Sequence, residues 1–135
     1  MLNKILGKLI KKDPDKVSVN IDPSDAMLMV RLSVNGVRRA RIQCVIESER
    51  TILIGDIIHD NQTADYNKGY GTLMMEKLVA YAKEAGFSYI YGNLSMVDCD
   101  HKERLHYFYK KIGFTITEYT ELRENYYGII EMHLK

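Results

Sequence analysis

The chain has 135 residues, 46% hydrophobic and 27% charged, with a net charge of +1 at pH 7. That composition excludes disorder, and the length suits a single domain able to bury roughly 65–70% of its unfolded surface. No apolar run approaches the ~18–20 residues of a membrane-crossing helix, and neither half is a basic module of the kind that neutralises many phosphates. Residues 1–65 hold ten Lys/Arg and nine Asp/Glu, and 66–135 hold nine of each. The expectation is therefore no nucleic acid and no membrane span.

All ten Tyr and all three Phe stand at or after Tyr66, and Trp is absent. Cys44 and Cys99 have neither CxxC nor zinc spacing, so they read as two free thiols in a reducing cytosol. No histidine has metal spacing with acidic or cysteine partners, and no metal is expected.

Leu2, Ile5, Leu6, Leu9 and Ile10 recur at helical spacing between lysines, predicting a short basic amphipathic helix over 1–12. Docking on its own domain is preferred to a membrane-surface or partner role, because so short a helix is marginal alone. Lys16 to Ile21 alternates as a strand, and Asp22-Pro23-Ser24-Asp25 reads as a turn. Strands over 26–34 and 37–46 flank Asn35-Gly36, a two-residue hairpin whose turn needs positive φ. Arg39 and Arg41 are expected on one face of the second strand, with Arg38 on the other. Glu49-Arg50 marks the next reversal, before a strand over 51–58.

After a polar loop over 59–68, a helix is predicted from Gly71 to Ala85. Its buried stripe is Leu73, Met74, Leu78, Ala82 and Ala85, and Gly86 stops it. Ser88 to Leu94 is a buried strand. Asp100 to Glu103 reads as a capping box for a second helix, which presents Leu105, Phe108, Tyr109 and Ile112 on one face and ends at Gly113. Strands over 114–120 and 127–134 complete an α/β chain with no repeat or linker.

Two motifs carry chemistry. Lys68-Gly69-Tyr70-Gly71-Thr72 opens a helix after a strand. Its glycines admit close backbone approach, and the unpaired N–H groups of the first turn suit a pyrophosphate. A Walker A loop would need Lys before Thr72, and a dinucleotide fingerprint would need a small residue where Met74 stands. The second motif, Tyr109-Lys110-Lys111-Ile112-Gly113-Phe114, ends the last helix.

Together, Tyr66-Asn67-Lys68-Gly69-Tyr70-Gly71 and Tyr109-Lys110-Lys111-Ile112-Gly113-Phe114 resemble the R/Q-x-x-G-x-G/A and Y-x-K-x-G-F patterns of the GNAT superfamily of N-acetyltransferases. The resemblance spans about residues 52–116 and the trailing strands. Tyr66 stands where that family prefers Arg or Gln, and Lys102 where many members have Asn. Only Asp22 to Asp25 occupy the place of the helix pair that usually walls the acceptor site. The resemblance implies an α+β fold with a mixed, mostly antiparallel sheet of six to seven strands flanked by helices, that pair being reduced or absent. It implies one acetyltransferase-like domain over 1–135, with the acetyl-CoA core at 52–116.

The same resemblance implies acetyl transfer from acetyl-CoA to an amine by direct attack in a ternary complex, in the cytoplasm. A CoA-holding or sensing module of the same fold is the alternative, and a second copy of the chain is a candidate partner that would wall the acceptor site. Carried over, Ile57, Ile58 and His59 offer backbone groups to the pantetheine arm, with an N–H near Ile58 as oxyanion donor. Lys68, Gly69, Tyr70, Gly71 and Thr72 hold the pyrophosphate, while Asn93 and Ser95 face the cleft from the next strand. Tyr109 matches the acid that protonates the departing thiolate. A lysine-like amine near pKa ~10.4 must also lose a proton before attack, at about 4.6 kcal/mol at pH 7. Asp56, His59 and Asp98 are the candidate bases. Asp56 and His59, three apart, fall on opposite faces of a regular strand unless a bulge intervenes.

Overall fold

The computed structural model describes residues 14–60 and 68–135. The helix expected over 1–12, and Tyr66-Asn67 of the glycine motif, lie outside the described residues. In chain order come β1 (Val17–Ser24), β2 (Met27–Val34), β3 (Val37–Ser48), β4 (Thr51–His59), α1 (Tyr70–Glu84) and β5 (Tyr89–Ser95). A 3-10 turn (Met96–His101), α2 (Lys102–Ile112), β6 (Thr115–Arg123) and β7 (Tyr126–His133) follow. The strands form one seven-stranded sheet in the order β1-β2-β3-β4-β5-β7-β6. Among the described strands only β4 and β5 pair in parallel, which is why the long α1 crossover joins them.

Asn35 and Gly36 both take positive φ at the expected hairpin turn (52° and 82°). The first reversal differs from expectation. Asp22, Pro23 and Ser24 continue β1, paired with Met29, Leu28 and Met27, and the chain turns at Asp25-Ala26. Proline is tolerated there because β1 is an edge strand, whose outward side needs no N–H. This tight turn leaves no room for a helix between β1 and β2.

Cross-strand partners share a face of a sheet, so the register shows where the core lies. Leu28 pairs with Cys44, Cys44 with Ile54, Ile54 with Gly92, and Gly92 with Ile130. These residues, with Val30, Ile42, Ile52 and Ile90, form one apolar face under α1. Met74, Met75, Leu78 and Ala82 of α1 are wholly buried against it. Each of the larger three contributes roughly 1.5–3 kcal/mol by leaving water. Ala85, expected in that stripe, is exposed at the helix C-cap, and Met75 completes the buried face instead. Phe108, Tyr109 and Ile112 of α2 pack on the same cluster.

The expected capping box does not form. Ser95 first turns the chain by accepting from the Val97 N–H at 3.2 Å, so Asp100 falls inside the 3-10 turn, and His101, without a side-chain cap bond, precedes α2. The arginine expectation also changes. The β2–β3 register slips beside Arg39, and Arg38 Nε and Arg41 Nη1 both reach Asp60, each at 3.0 Å. A bulge there brings the two side chains to one carboxylate. On the reverse face of the sheet, Tyr89 and Tyr91 stack 5.4 Å apart and donate to Glu131 and Glu47, both at 2.6 Å.

Candidate functional site

Strands β4 and β5 run side by side only from Thr51↔Tyr89 to Ile54↔Gly92. Beyond that point they part. The cause is local to β4. Cys44 pairs with Ile54 and Ile42 with Ile57, so Gly55 and Asp56 together oppose the single residue Gln43. This bulge bends the strand away from β5. It requires glycine, because a Cβ at position 55 would stand 2.8 Å from the Gln43 carbonyl oxygen.

The splay opens a cleft of about 530 Å³ lined by Gly55, Asp56, Ile57, Asn93, Ser95, Asp98, Tyr109 and Tyr127, among others. A second cleft of about 440 Å³ lies at the start of α1, lined by Ile57, His59, Gly69, Tyr70, Gly71 and Thr72 together with residues of α2. Ile57 and Leu105 line both, so the two clefts adjoin.

Past the bulge β4 alternates regularly, so Asp56 and His59 take the opposite faces that their spacing predicts. Ile57 and His59 pair with the buried Ile42 and Ala40 and so return to the core face. Asp56, exposed, lines the splayed cleft with Asp98 and Tyr109, whereas His59 lines the α1 cleft. The three candidate bases are thus divided between the two clefts. His59 Nδ1 is buried without a hydrogen-bond partner. Ile58 pairs with Arg41 on the reverse face, and neither Ile58 nor Lys68 lines either cleft.

The α1 cleft is chemically suited to an anion. Gly69 caps the helix at φ 78° without a side-chain cap bond, and no acidic residue stands in the first turn. Such a helix start presents donors and partial positive charge. A Cβ on Gly71 would come within 3.3 Å of the Phe108 ring, so α2 approaches closely there. Arg104 and Lys111 of α2 line the same cleft. Arg104 stands outside both sequence motifs, and Lys111 belongs to the second without being marked there as an anion contact. The signal was their spacing, since 104, 108 and 111 recur on one helical face.

Tyr109 packs edge-on against Phe108 and Phe114, at 5.2 and 5.9 Å between ring centroids. Burial pushes its phenol up to about 12, with the charge of Asp98 and then Tyr127 adding to the effect. Tyr127 hydrogen-bonds to His106 Nε2 at 3.0 Å. Lys102 pairs with Glu118 and stands 5.3 Å from the centroid of the Tyr127 ring. Of the cysteines, Cys44 is buried, its thiol pushed up to about 12 by burial, and Cys99 is exposed; both are free.

No protein-family model matches the chain. No curated protein sequence matches it either. Its fold has many counterparts among solved structures. A GNAT-family acetyltransferase from Staphylococcus aureus Mu50 superposes with a TM-score of 0.62, at 15% identity, over 81% of this chain and 69% of that one. The ribosomal-protein-S18-alanine N-acetyltransferase of Escherichia coli gives 0.58 at 18% identity, over 83% and 70%. An aminoglycoside 6'-N-acetyltransferase complexed with coenzyme A gives 0.63 at 12% identity, over 82% and 74%. The chain therefore has the fold of the GNAT acetyltransferases, in the mixed, mostly antiparallel seven-stranded form.

Proposed function

We propose that the chain, as one acetyltransferase-like domain, transfers an acetyl group from acetyl-CoA to an amine by direct attack. The observation that carries this reading is the parting of β4 from β5 after Ile54 and Gly92, which opens a cleft holding Tyr109 and adjoining an anion-suited helix start. Acetyl-CoA supplies the activated thioester. The N–H groups at Gly69, Gly71 and Thr72 hold its pyrophosphate, beside the buried ring of Tyr70 and with positive charge from Lys68, Arg104 and Lys111. Ile57 and His59 offer backbone groups to the pantetheine arm, and Asn93 faces it from β5; Ile58, on the reverse face, takes no part. Tyr109 donates a hydrogen bond to the departing sulfur. Asp56 and Asp98 draw the cationic amine into the cleft as carboxylates without a Lys or Arg among the cleft's lining residues.

Calorimetric titration with acetyl-CoA tests the cofactor half, and saturable binding below millimolar concentration is expected. CoA release in the presence of free lysine, spermidine, an alanine-terminated peptide or kanamycin tests the transfer half. No binding at millimolar acetyl-CoA overturns the proposal. Binding without release to any of the four favours a second reading, a module that holds CoA without catalysis. The specific observation behind that reading is the tight Asp25–Ala26 turn between β1 and β2, which leaves no helix pair there to wall the acceptor side.

A further inference from the structure

The cleft between the splayed strands has a polar pair in its wall to which the reaction above gives no part. Tyr127 of β7 is 6% exposed and lines the cleft beside Tyr109. Its hydroxyl lies 3.0 Å from Nε2 of His106 on α2, and the two rings stack 5.9 Å apart at 16°. His106 is half-buried and does not itself line the cleft. A phenol in the cleft wall, bonded to an imidazole beyond it, makes a two-member path from the cleft to the helix.

We infer that Tyr127 and His106 carry the proton of the attacking amine out of the cleft, an inference that rests on the acetyl-transfer reading. The ammonium proton passes to Tyr127 Oη while the phenol's own proton passes to His106 Nε2. The electron pair of the broken N–H bond stays on the amine nitrogen, which becomes the nucleophile. The imidazolium then returns to neutrality by losing one proton to water, and the tyrosine is left protonated as it began.

The surroundings set the protonation from which the relay starts, and loss of the imidazolium proton to water draws the uphill transfer forward. Burial holds the His106 pKa below its ordinary value; Lys102 and Lys110 on its own helix push the same way, and Glu118 of β6 opposes them. The ring is therefore neutral at pH 7 and can accept. Burial raises the Tyr127 phenol, as do Cys99, Glu118 and Asp98, while Lys102 works against them. The phenol thus stays protonated and acts by passing a proton on. Of the bases considered from sequence, His59 lines the other cleft, and Asp56 and Asp98 are exposed to water.

Two measurements test the relay. Long-range proton–nitrogen NMR on the free protein reads the His106 tautomer. The relay requires hydrogen on Nδ1, with Nε2 accepting from Tyr127, and a neutral ring with hydrogen on Nε2 overturns it. This readout needs neither acetyl-CoA nor an acceptor. Kinetics with the fastest of the four amines form the second arm. His106→Gln and Tyr127→Phe should each lower kcat by about 100-fold, within the range for a positioned acid–base group. Acetyl-CoA affinity by calorimetry should not change, and Tyr127→Phe keeps the buried ring in place. The acid limb of the kcat–pH profile should vanish in His106→Gln. Unchanged kcat with an unchanged acid limb in both variants overturns the relay while acetyl transfer stands. Failure of all four amines overturns acetyl transfer and the relay with it.

Discussion

Tyr109 shows how much one residue's surroundings alter its chemistry. Its place before Lys110, Gly113 and Phe114 marks it in the sequence, but an ordinary phenol is already a weaker acid than a thiol. Inside the fold, burial and the nearby Asp98 push it up to about 12. Handing its proton to a thiolate with an ordinary pKa near 8.5 runs uphill by roughly 5 kcal/mol. Donating a hydrogen bond without transferring the proton avoids that cost, and a bond to a charged acceptor is worth ~1.5–3 kcal/mol. Tyr109→Phe is therefore expected to slow CoA release by about 10- to 100-fold, with acetyl-CoA affinity nearly intact. Turnover equal to wild type would remove Tyr109 from the reaction. The partner of Tyr127 was not legible in the same way. His106 and Tyr127 are 21 positions apart and meet only because α2 and β7 fold together.

Among the elements, β4 decides where the splayed cleft is. It reads as one strand over 51–58, and Gly55 inside that run is the local hint of two residues opposite one. The bulge appears only against its neighbour, where Gly55 and Asp56 face Gln43. Gly55→Val would place a Cβ 2.8 Å from a backbone oxygen that cannot turn aside. About 1–3 kcal/mol of stability should be lost through this overpacking. Because the strain falls on the residue that parts β4 from β5, acetyl-CoA affinity should fall as well. Chemical denaturation and calorimetry on one preparation check both; a variant matching wild type in each would show that the bulge does not depend on glycine. The helix start of α1 was more legible, since glycines and missing caps are properties of adjacent residues.

Taken whole, the molecule has its core on one side of the sheet. Leu78 is fully buried there, between α1 and the strands. Leu78→Ala should cost ~2–5 kcal/mol, the range for truncating a buried leucine. That is a large share of the ~5–15 kcal/mol of a typical domain, and it is measurable as a lower denaturation midpoint. A loss below ~1 kcal/mol would mean that α1 contributes little to holding the sheet.

Local pattern was enough for the order of strands and helices over the described residues, the Asn35-Gly36 hairpin, the helix stops at Gly86 and Gly113, and the resemblance that two short motifs carry. Turn chemistry and hydrophobic period are written in neighbouring residues, so a single chain displays them. Long-range packing was needed to show that β1 runs through Pro23, that Arg38 and Arg41 share Asp60, and which cleft each of Asp56 and His59 lines. It also brought Arg104 and Lys111 to the start of α1, and His106 to Tyr127. Each of these depends on register or on packing between elements distant in the chain. A bulge of one residue changes the face to which a side chain belongs, and a local hint such as Gly55 does not fix the register against the neighbouring strand.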